Sequence, residues 1–442
     1  MRKRIFNYLA LALGLCACSP KPEVKAYRWE DDLHQRLLVD FNRTEPEVTA
    51  YIRRYIPNVN EQQLRAWEAT GALECMTLDG KKRYFRNAAP NLFRIDSLCR
   101  AIKIAKDGNP PSGSELADEK NLPEIIQSVR ATGRFLVAPK RMRVHYTLTV
   151  KANAVPAGEI IRCWLPYPRR DRPRQQDVKF LSSSEAPTFA PVDCPHSTLY
   201  MEKRAVRDKP TVFSETFSYT SYGEWHPLQP AEVLPYDTAS ASYKEYTSER
   251  ERHIRFSPRL RALATSLTAG ETNPLLKAKR IFRYVNDHFP WASAREYSTI
   301  ADIPEYVLDN RHGDCGQVTL LFITLCRISG IPARFESGFM MHPNAWNLHD
   351  WAEIYLEGPG WVPVDQSFGI PTYARDTDEA YFFLGGIDSW RLIVNTDFSR
   401  PLVPAKQYPR SETVDFQRGE VEWRGGNLYF PLWNYQMDID YL

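Results

Sequence analysis

Asn310-Arg311-His312-Gly313-Asp314-Cys315-Gly316-Gln317-Val318-Thr319-Leu320-Leu321-Phe322-Ile323-Thr324-Leu325-Cys326 begins as a polar loop and turns into an apolar helix that stops at Ser329-Gly330, with Pro332 just beyond. Cys315 therefore stands at a helix N-terminus. Unpaired backbone N–H groups and the positive end of the macrodipole there favour thiolate over thiol, the condition that makes a cysteine a nucleophile. A small core residue capping an apolar helix is the alternative that this segment alone leaves open.

Downstream, residues 333–340 read as a strand, a loop follows with Pro343 and Asn344, and His349-Asp350-Trp351-Ala352-Glu353-Ile354-Tyr355-Leu356 reads as a second strand. After the turn Glu357-Gly358-Pro359-Gly360, Trp361-Val362-Pro363-Val364-Asp365 reads as a third. His349 opens one arm of an antiparallel hairpin and Asp365 closes the other. A register that pairs Tyr355 with Trp361 sets His349 diagonal to Asp365, within reach of a hydrogen bond given the usual strand twist. Cysteine acyl chemistry needs this set: Cys315 attacks a carbonyl carbon, His349 takes and returns the proton, and Asp365 orients the imidazole.

The blocks Gly313-Asp314-Cys315, Gly330-Ile331-Pro332-Ala333-Arg334, His349-Asp350-Trp351-Ala352-Glu353 and Gly360-Trp361-Val362-Pro363-Val364-Asp365 together resemble the transglutaminase-like superfamily, in that family's order, over roughly residues 255–370. The resemblance implies a papain-like core with Cys315 as nucleophile, His349 as base and Asp365 as orienter, and no cofactor. Gln366 departs from the family pattern, where many relatives carry Pro. For the oxyanion, the Cys315 backbone N–H is one donor and the family supplies a second from an upstream side chain. The candidates are Tyr297, in what reads as an exposed loop, and Trp291, with His312 behind them. No metal is expected: His342, His349 and Asp350 lack the spacing of a zinc site.

Around this core the chain divides by periodicity. Residues 31–135 read as a mainly helical region, with helix starts at Thr44-Glu45-Pro46 and Asn60, a hairpin turn at Asp79-Gly80, and a linker by composition from Lys106 to Lys120. Residues 140–240 alternate as strands, Val144, Tyr146, Leu148 and Val150 against His145, Thr147 and Thr149, and read as a β-sandwich-like domain. Its basic segment Pro168-Arg169-Arg170-Asp171-Arg172-Pro173-Arg174 reads as a solvated loop, or as a contact for anionic polymer or headgroups. The catalytic core spans 250–370, and 371–442 reads as an extension packed on it. The fold class is α+β.

Arg2, Lys3 and Arg4 precede an apolar run from Ile5 to Leu15 that is too short for a spanning helix and reads as a secretory signal over residues 1–17. It ends in Leu15-Cys16-Ala17-Cys18, which resembles the lipobox of bacterial lipoproteins and implies lipidation of Cys18, with 18–30 as a polar tether. The 442-residue chain carries 57 Lys and Arg against 54 Asp and Glu; without the first three basic residues the balance is 54 of each, so attachment would rest on lipid rather than charge. Neutrality and export both argue against nucleic acid. With Cys16, Cys18, Cys315 and Cys326 placed, Cys75 with Cys99 and Cys163 with Cys194 remain as within-domain pairs that an oxidising compartment permits. The expected protein is a cysteine-dependent amide hydrolase of the bacterial cell envelope, lipid-anchored, acting on a peptide or protein, cell-wall peptide included. A protein-glutamine transglutaminase and a non-catalytic binding module that keeps the fold are the alternatives.

Overall fold

The computed structural model describes residues 26–442, so the signal sequence and Cys18 lie outside the described residues. Within them, no helix is long and apolar enough to cross a membrane.

Local chemistry sets the first elements. Thr44 and Glu47 close a capping box at the start of the helix Glu45–Arg53, and Asn60 with Gln63 closes another before Glu61–Ala69. Asp79 and Gly80 both take positive φ, 51° and 71°, so that Leu78 pairs with Lys81 across a two-residue turn. These elements enclose their own core of Phe41, Ile52, Leu73, Tyr84, Phe85 and Leu92. The expected linker over 106–120 is corrected. The helix Ser97–Asp107 is separated by only Gly108–Ser112 from a second helix, Gly113–Thr132, because Ser112 and Glu115 form a third capping box inside a stretch whose Gly, Pro and Ser content imitates a loop. Leu122, Ile125, Ile126 and Val129 of that helix are buried in the catalytic core rather than with the preceding helices.

The alternating segments build two five-stranded sheets. One contains Leu136–Val150 and Thr211–Trp225, the other Ile160–Pro166 and Thr198–Arg204. The sandwich is not finished by residue 240. Trp433–Tyr441 pairs with Leu136–Val150, and Glu420–Trp423 pairs with Ile160–Pro166. The C-terminal segment is thus not one extension on the core: its last strands complete both sheets, while Arg391–Asn395 joins the catalytic sheet. Edge strands with unpaired backbone groups need partners, and these are supplied from more than two hundred positions away.

The basic segment is likewise corrected. Arg169 is 3% exposed and donates to Asp171 and to the Val192 and Pro195 carbonyls, while Arg172 and Arg174 pair with buried Glu336 of the catalytic sheet. It joins sandwich to core instead of facing a polymer; of its four arginines only Arg170 is exposed. Cys75, Cys99, Cys163 and Cys194 are all free thiols, so neither expected disulfide forms. Cys163 points into the sandwich core, whereas Cys194 lies in a half-buried turn.

The catalytic core sets the helices Pro258–Thr268, Pro274–His288, Ile303–Asn310 and Cys315–Ile328 against a four-stranded antiparallel sheet in the order Gly360–Val364, Asn347–Leu356, Ala333–Met340, Arg391–Asn395. Every residue from Cys315 to Arg327 is buried, so the helix that carries the cysteine is held on all sides. Gly338 allows the last strand to close: a Cβ there would lie 2.0 Å from the Leu392 carbonyl oxygen.

Candidate active site

Cys315 is the first residue of its helix, and the residue before it is pinned by three hydrogen bonds to two residues. Asp314 accepts from the Gln317 N–H (3.1 Å), its own N–H donates to Gln317 Oε1 (3.2 Å), and its Oδ1 accepts from the Tyr297 hydroxyl at 2.6 Å. Gln366, the departure from the family pattern, is also used locally. It donates to Thr319 Oγ1 (2.5 Å), and Thr319 donates to the Cys315 carbonyl (2.6 Å), bracing the first turn from the far side.

The hairpin takes the register that pairs Tyr355 with Trp361, and its diagonal brings His349 Nε2 to 2.7 Å from Asp365 Oδ2. Asp365 Oδ1 accepts from the backbone N–H groups of Ser367 and Phe368, and Arg391 Nη1 lies 2.9 Å from Oδ2. Burial opposes the Asp365 charge, but His349, Arg391 and these hydrogen bonds outweigh it and hold the carboxyl down at about 2. An ionised Asp365 only accepts, so the proton of a neutral His349 sits on Nε2 and leaves Nδ1 as the free base. Burial lowers the imidazole below its ordinary value, and the Asp365 charge recovers only part of that.

The cysteine departs from expectation. Its thiol donates to Asp350 Oδ2 at 3.4 Å, and the described contacts give it no hydrogen bond to His349. Burial, then Asp350 and Asp314, push the thiol well above its ordinary value, the direction opposite to the one expected from the helix N-terminus. Asp350 is itself raised, by burial and by Asp314. Both shifts run toward the neutral forms, thiol and imidazole, and away from a thiolate–imidazolium pair. Gln417, from the loop before the last strands, donates to both the His349 carbonyl (2.9 Å) and Asp350 Oδ1 (3.0 Å) and ties the two neighbours together.

Gly316 has no room for a side chain: a Cβ would sit 2.4 Å from the Tyr297 hydroxyl and 2.6 Å from Asp350 Oδ2. Gly316→Ala is expected to displace both groups. Alkylation of Cys315 by iodoacetamide should change at least several-fold while the protein stays folded; an unchanged rate in a folded variant would remove the argument that these contacts set the thiol.

Cys315, His349 and Asp350 open onto one cavity of about 1080 Å³. One wall is the catalytic core. The other, unforeseen from sequence, is the N-terminal helical region, through Arg94, Arg100, Lys103 and Ser112. The oxyanion candidates are placed differently from expectation. Tyr297 lies in no exposed loop; it is largely enclosed between paired Glu296 and buried Ser298, and its proton is committed to Asp314. Trp291 is 46% exposed, its indole face beneath the Arg94 guanidinium, and His312 is buried edge-on to Tyr306. Of the residues weighed for a metal, His342 lies apart from His349 and Asp350. Its Nε2 sits 3.0 Å from Asp118 Oδ1 and 3.4 Å from Asp388 Oδ1 in a fully buried set, and Asp388 also pairs with Arg391.

Residues 261–366 match the family model described as Transglutaminase-like superfamily. A protein-glutamine gamma-glutamyltransferase of Pseudomonas aeruginosa is 27% identical over 126 residues, 26% of this chain and 19% of that one. YebA of Bacillus subtilis is 26% identical over 156 residues, 30% of this chain and 21% of that one. The chain thus spans about a fifth of the length of the curated relatives it matches. Among solved structures, one described as a candidate cysteine protease from Cytophaga hutchinsonii is 16% identical with a TM-score of 0.46, covering 70% of this chain and 92% of that chain. The periplasmic domain of TgpA from Pseudomonas aeruginosa is 16% identical with a TM-score of 0.28, covering 54% and 91%.

Proposed function

For a chain whose residues 261–366 carry a transglutaminase-like core, we propose hydrolysis of a peptide or isopeptide amide through a Cys315 thioester. The observation that carries this reading is the His349–Asp365 pair at 2.7 Å, opening with Cys315 onto one cavity. When a substrate carbonyl settles over Cys315, the thiol proton passes to His349 Nδ1 and the sulfur attacks the carbonyl carbon. The oxyanion rests on the Cys315 N–H. The C–N bond then breaks as His349 returns the proton to the leaving amine. Water, deprotonated by His349, attacks the thioester, releases the acid and restores the thiol. A cavity of about 1080 Å³ leaves room for that water beside the acyl group. We further place the protein in the cell envelope. Its leader and the TgpA relative, whose solved part is described as periplasmic, both support that placement.

The test uses two products. Release of new amino groups from peptides supports hydrolysis, incorporation of a fluorescent amine into a glutamine-bearing protein supports transfer instead, and silence in both with an unreactive Cys315 supports a binding module. The pH dependence follows from the site. His349 must be unprotonated to act as base and burial holds it below its ordinary value, so kcat/KM is expected to rise with pH through a single limb centred below about 6.5 and then level off. In Asp365→Asn the imidazole loses its stabilising charge. That limb should move to lower pH while the plateau drops by on the order of 10²–10⁴-fold. A limb that moves upward contradicts the assignment of Asp365.

A further inference from the structure

Arg94 lies in the last turn of the helix Ala88–Ile95 and lines the cavity that holds Cys315. Of the other cations on that cavity, Arg100 is exposed to solvent and the rest are matched by acids of the protein. Arg86 pairs with Asp40 and Glu296, Arg295 with Glu74, Arg418 with Glu296 and Glu412, and Lys103 with Asp107. Arg94 has only neutral partners: its Nη1 donates to Asn91 Oδ1 (3.0 Å) and Ser293 Oγ (3.3 Å). It is partly buried, burial pushes the guanidinium below its ordinary value, and no carboxylate among the described residues pairs with it. A partly desolvated cation without a counter-charge is costly, and an incoming anion removes that cost.

The group is also held in place. Its guanidinium lies 5.1 Å above the Trp291 ring, and Trp291 turns a 46% exposed indole toward the cavity. Asn91 fixes the loop beneath, donating to the Ser293 carbonyl (2.8 Å) and accepting from the Ser293 N–H (3.0 Å). Trp291 forms a parallel bridge with Gly313, and the Ala292 N–H donates to the Gly313 carbonyl, two residues before Cys315. Bridge and chain spacing put the Trp291 Cα within about 13 Å of the Cys315 Cα. An extended peptide covers that distance in about four residues.

We propose that Arg94 and Trp291 form a subsite for a carboxylate-bearing residue of the substrate, within about four positions of the scissile bond. The guanidinium fork takes the carboxylate and the exposed part of the indole takes its apolar stem. The assignment rests on the peptide-hydrolase reading, so its test is a binding measurement that needs no turnover.

The probes are fluorescein-labelled pentapeptide amides in an alanine background, with one Glu moved through each position, their Gln counterparts, and the all-alanine peptide with a free C-terminal carboxylate. Binding to Cys315→Ala protein is read by anisotropy. At one or more positions the Glu peptide is expected to bind about tenfold tighter than its Gln partner. That preference should vanish in Arg94→Gln, survive in part in Arg94→Lys, and persist in Arg100→Gln, which alters a neighbouring exposed cation. Trp291→Ala should weaken Glu and Gln peptides together. A preference confined to the free C-terminal acid keeps the subsite but assigns it to a chain end. Equal affinity for Glu and Gln, absence of binding by every acidic probe, or a preference that survives Arg94→Gln overturns the proposal. Alkylation of Cys315 in Arg94→Gln at the wild-type rate establishes that this variant is folded. Loss of turnover with acidic-peptide binding intact counts against the hydrolase reading alone.

Discussion

Cys315→Ala is expected to reduce amide turnover by at least about 10³-fold, with the fold unchanged, because the variant removes the atom that forms the acyl bond and leaves the cavity's other contacts in place. His349→Ala should cost about as much, and the double variant no more than either alone, since nucleophile and base act as one unit. The structure makes the second loss instructive. Because burial disfavours both the thiolate and the imidazolium, His349 is needed to create the thiolate and not merely to accompany it. Alkylation of Cys315 near pH 7 should therefore fall steeply in His349→Ala. Retention of more than about a tenth of the wild-type turnover in Cys315→Ala would falsify the nucleophile assignment. Asp350 gives an independent check. Asp350→Asn keeps a polar group beside the thiol and removes the carboxyl that raises it, so alkylation above neutral pH should become faster.

Arg391→Met is expected to destabilise the protein by about 3–5 kcal/mol, the usual cost of removing one partner from a buried charge network. Arg391 is fully buried between two acids, with Nη1 at 2.9 Å from Asp365 and Nε donating to Asp388 at 2.6 Å. Asp388 also faces His342, and His342 faces Asp118, so one buried chain of charges runs from the helix Gly113–Thr132 to the base of His349. Methionine keeps much of the arginine stem's volume, which isolates the charge from the packing. The sign of the pH dependence separates this mechanism from simple misfit. Asp365, held at about 2 in the folded protein, contributes stability that is present above its ordinary value near 3.8 and lost as pH falls through about 2. Without Arg391 its carboxyl rises, so the variant's deficit in chemical denaturation should narrow as pH is lowered from 7 toward 4. A deficit that stays constant over that range would point to packing, and turnover at pH 7 should fall with the loss of the Asp365 charge that orients His349.

Much of the catalytic core is legible in order because its determinants are local. The Asp314 cap, the apolar run after it, the Gly330-Ile331-Pro332 stop and the hairpin spacing each follow from a few adjacent residues, and the register that joins His349 to Asp365 follows from the turn length. The same local reading misled where composition and environment diverge. The 106–120 segment has a linker's Gly, Pro and Ser content, yet Ser112 caps a twenty-residue helix. The 168–174 run has a solvent face's charge, yet Arg169, Arg172 and Arg174 are inside.

Asp350 stood in plain view beside His349, and a carboxyl one residue from a proposed base was the signal that could have exposed it. Arg391, Gln417 and Arg94 carried no such signal, because each reaches the site from a distant segment. The residue types and spacing of Cys315, His349 and Asp365 were enough to propose a chemistry and to place His349 beside Asp365, since capping and strand register are short-range effects. Whether that cysteine rests as thiol or thiolate, which cation holds Asp365, and what lines the far wall of the cavity depended on burial and on charges brought together from across the chain. Desolvation and Coulomb interactions act through space, and only the folded protein supplies those distances.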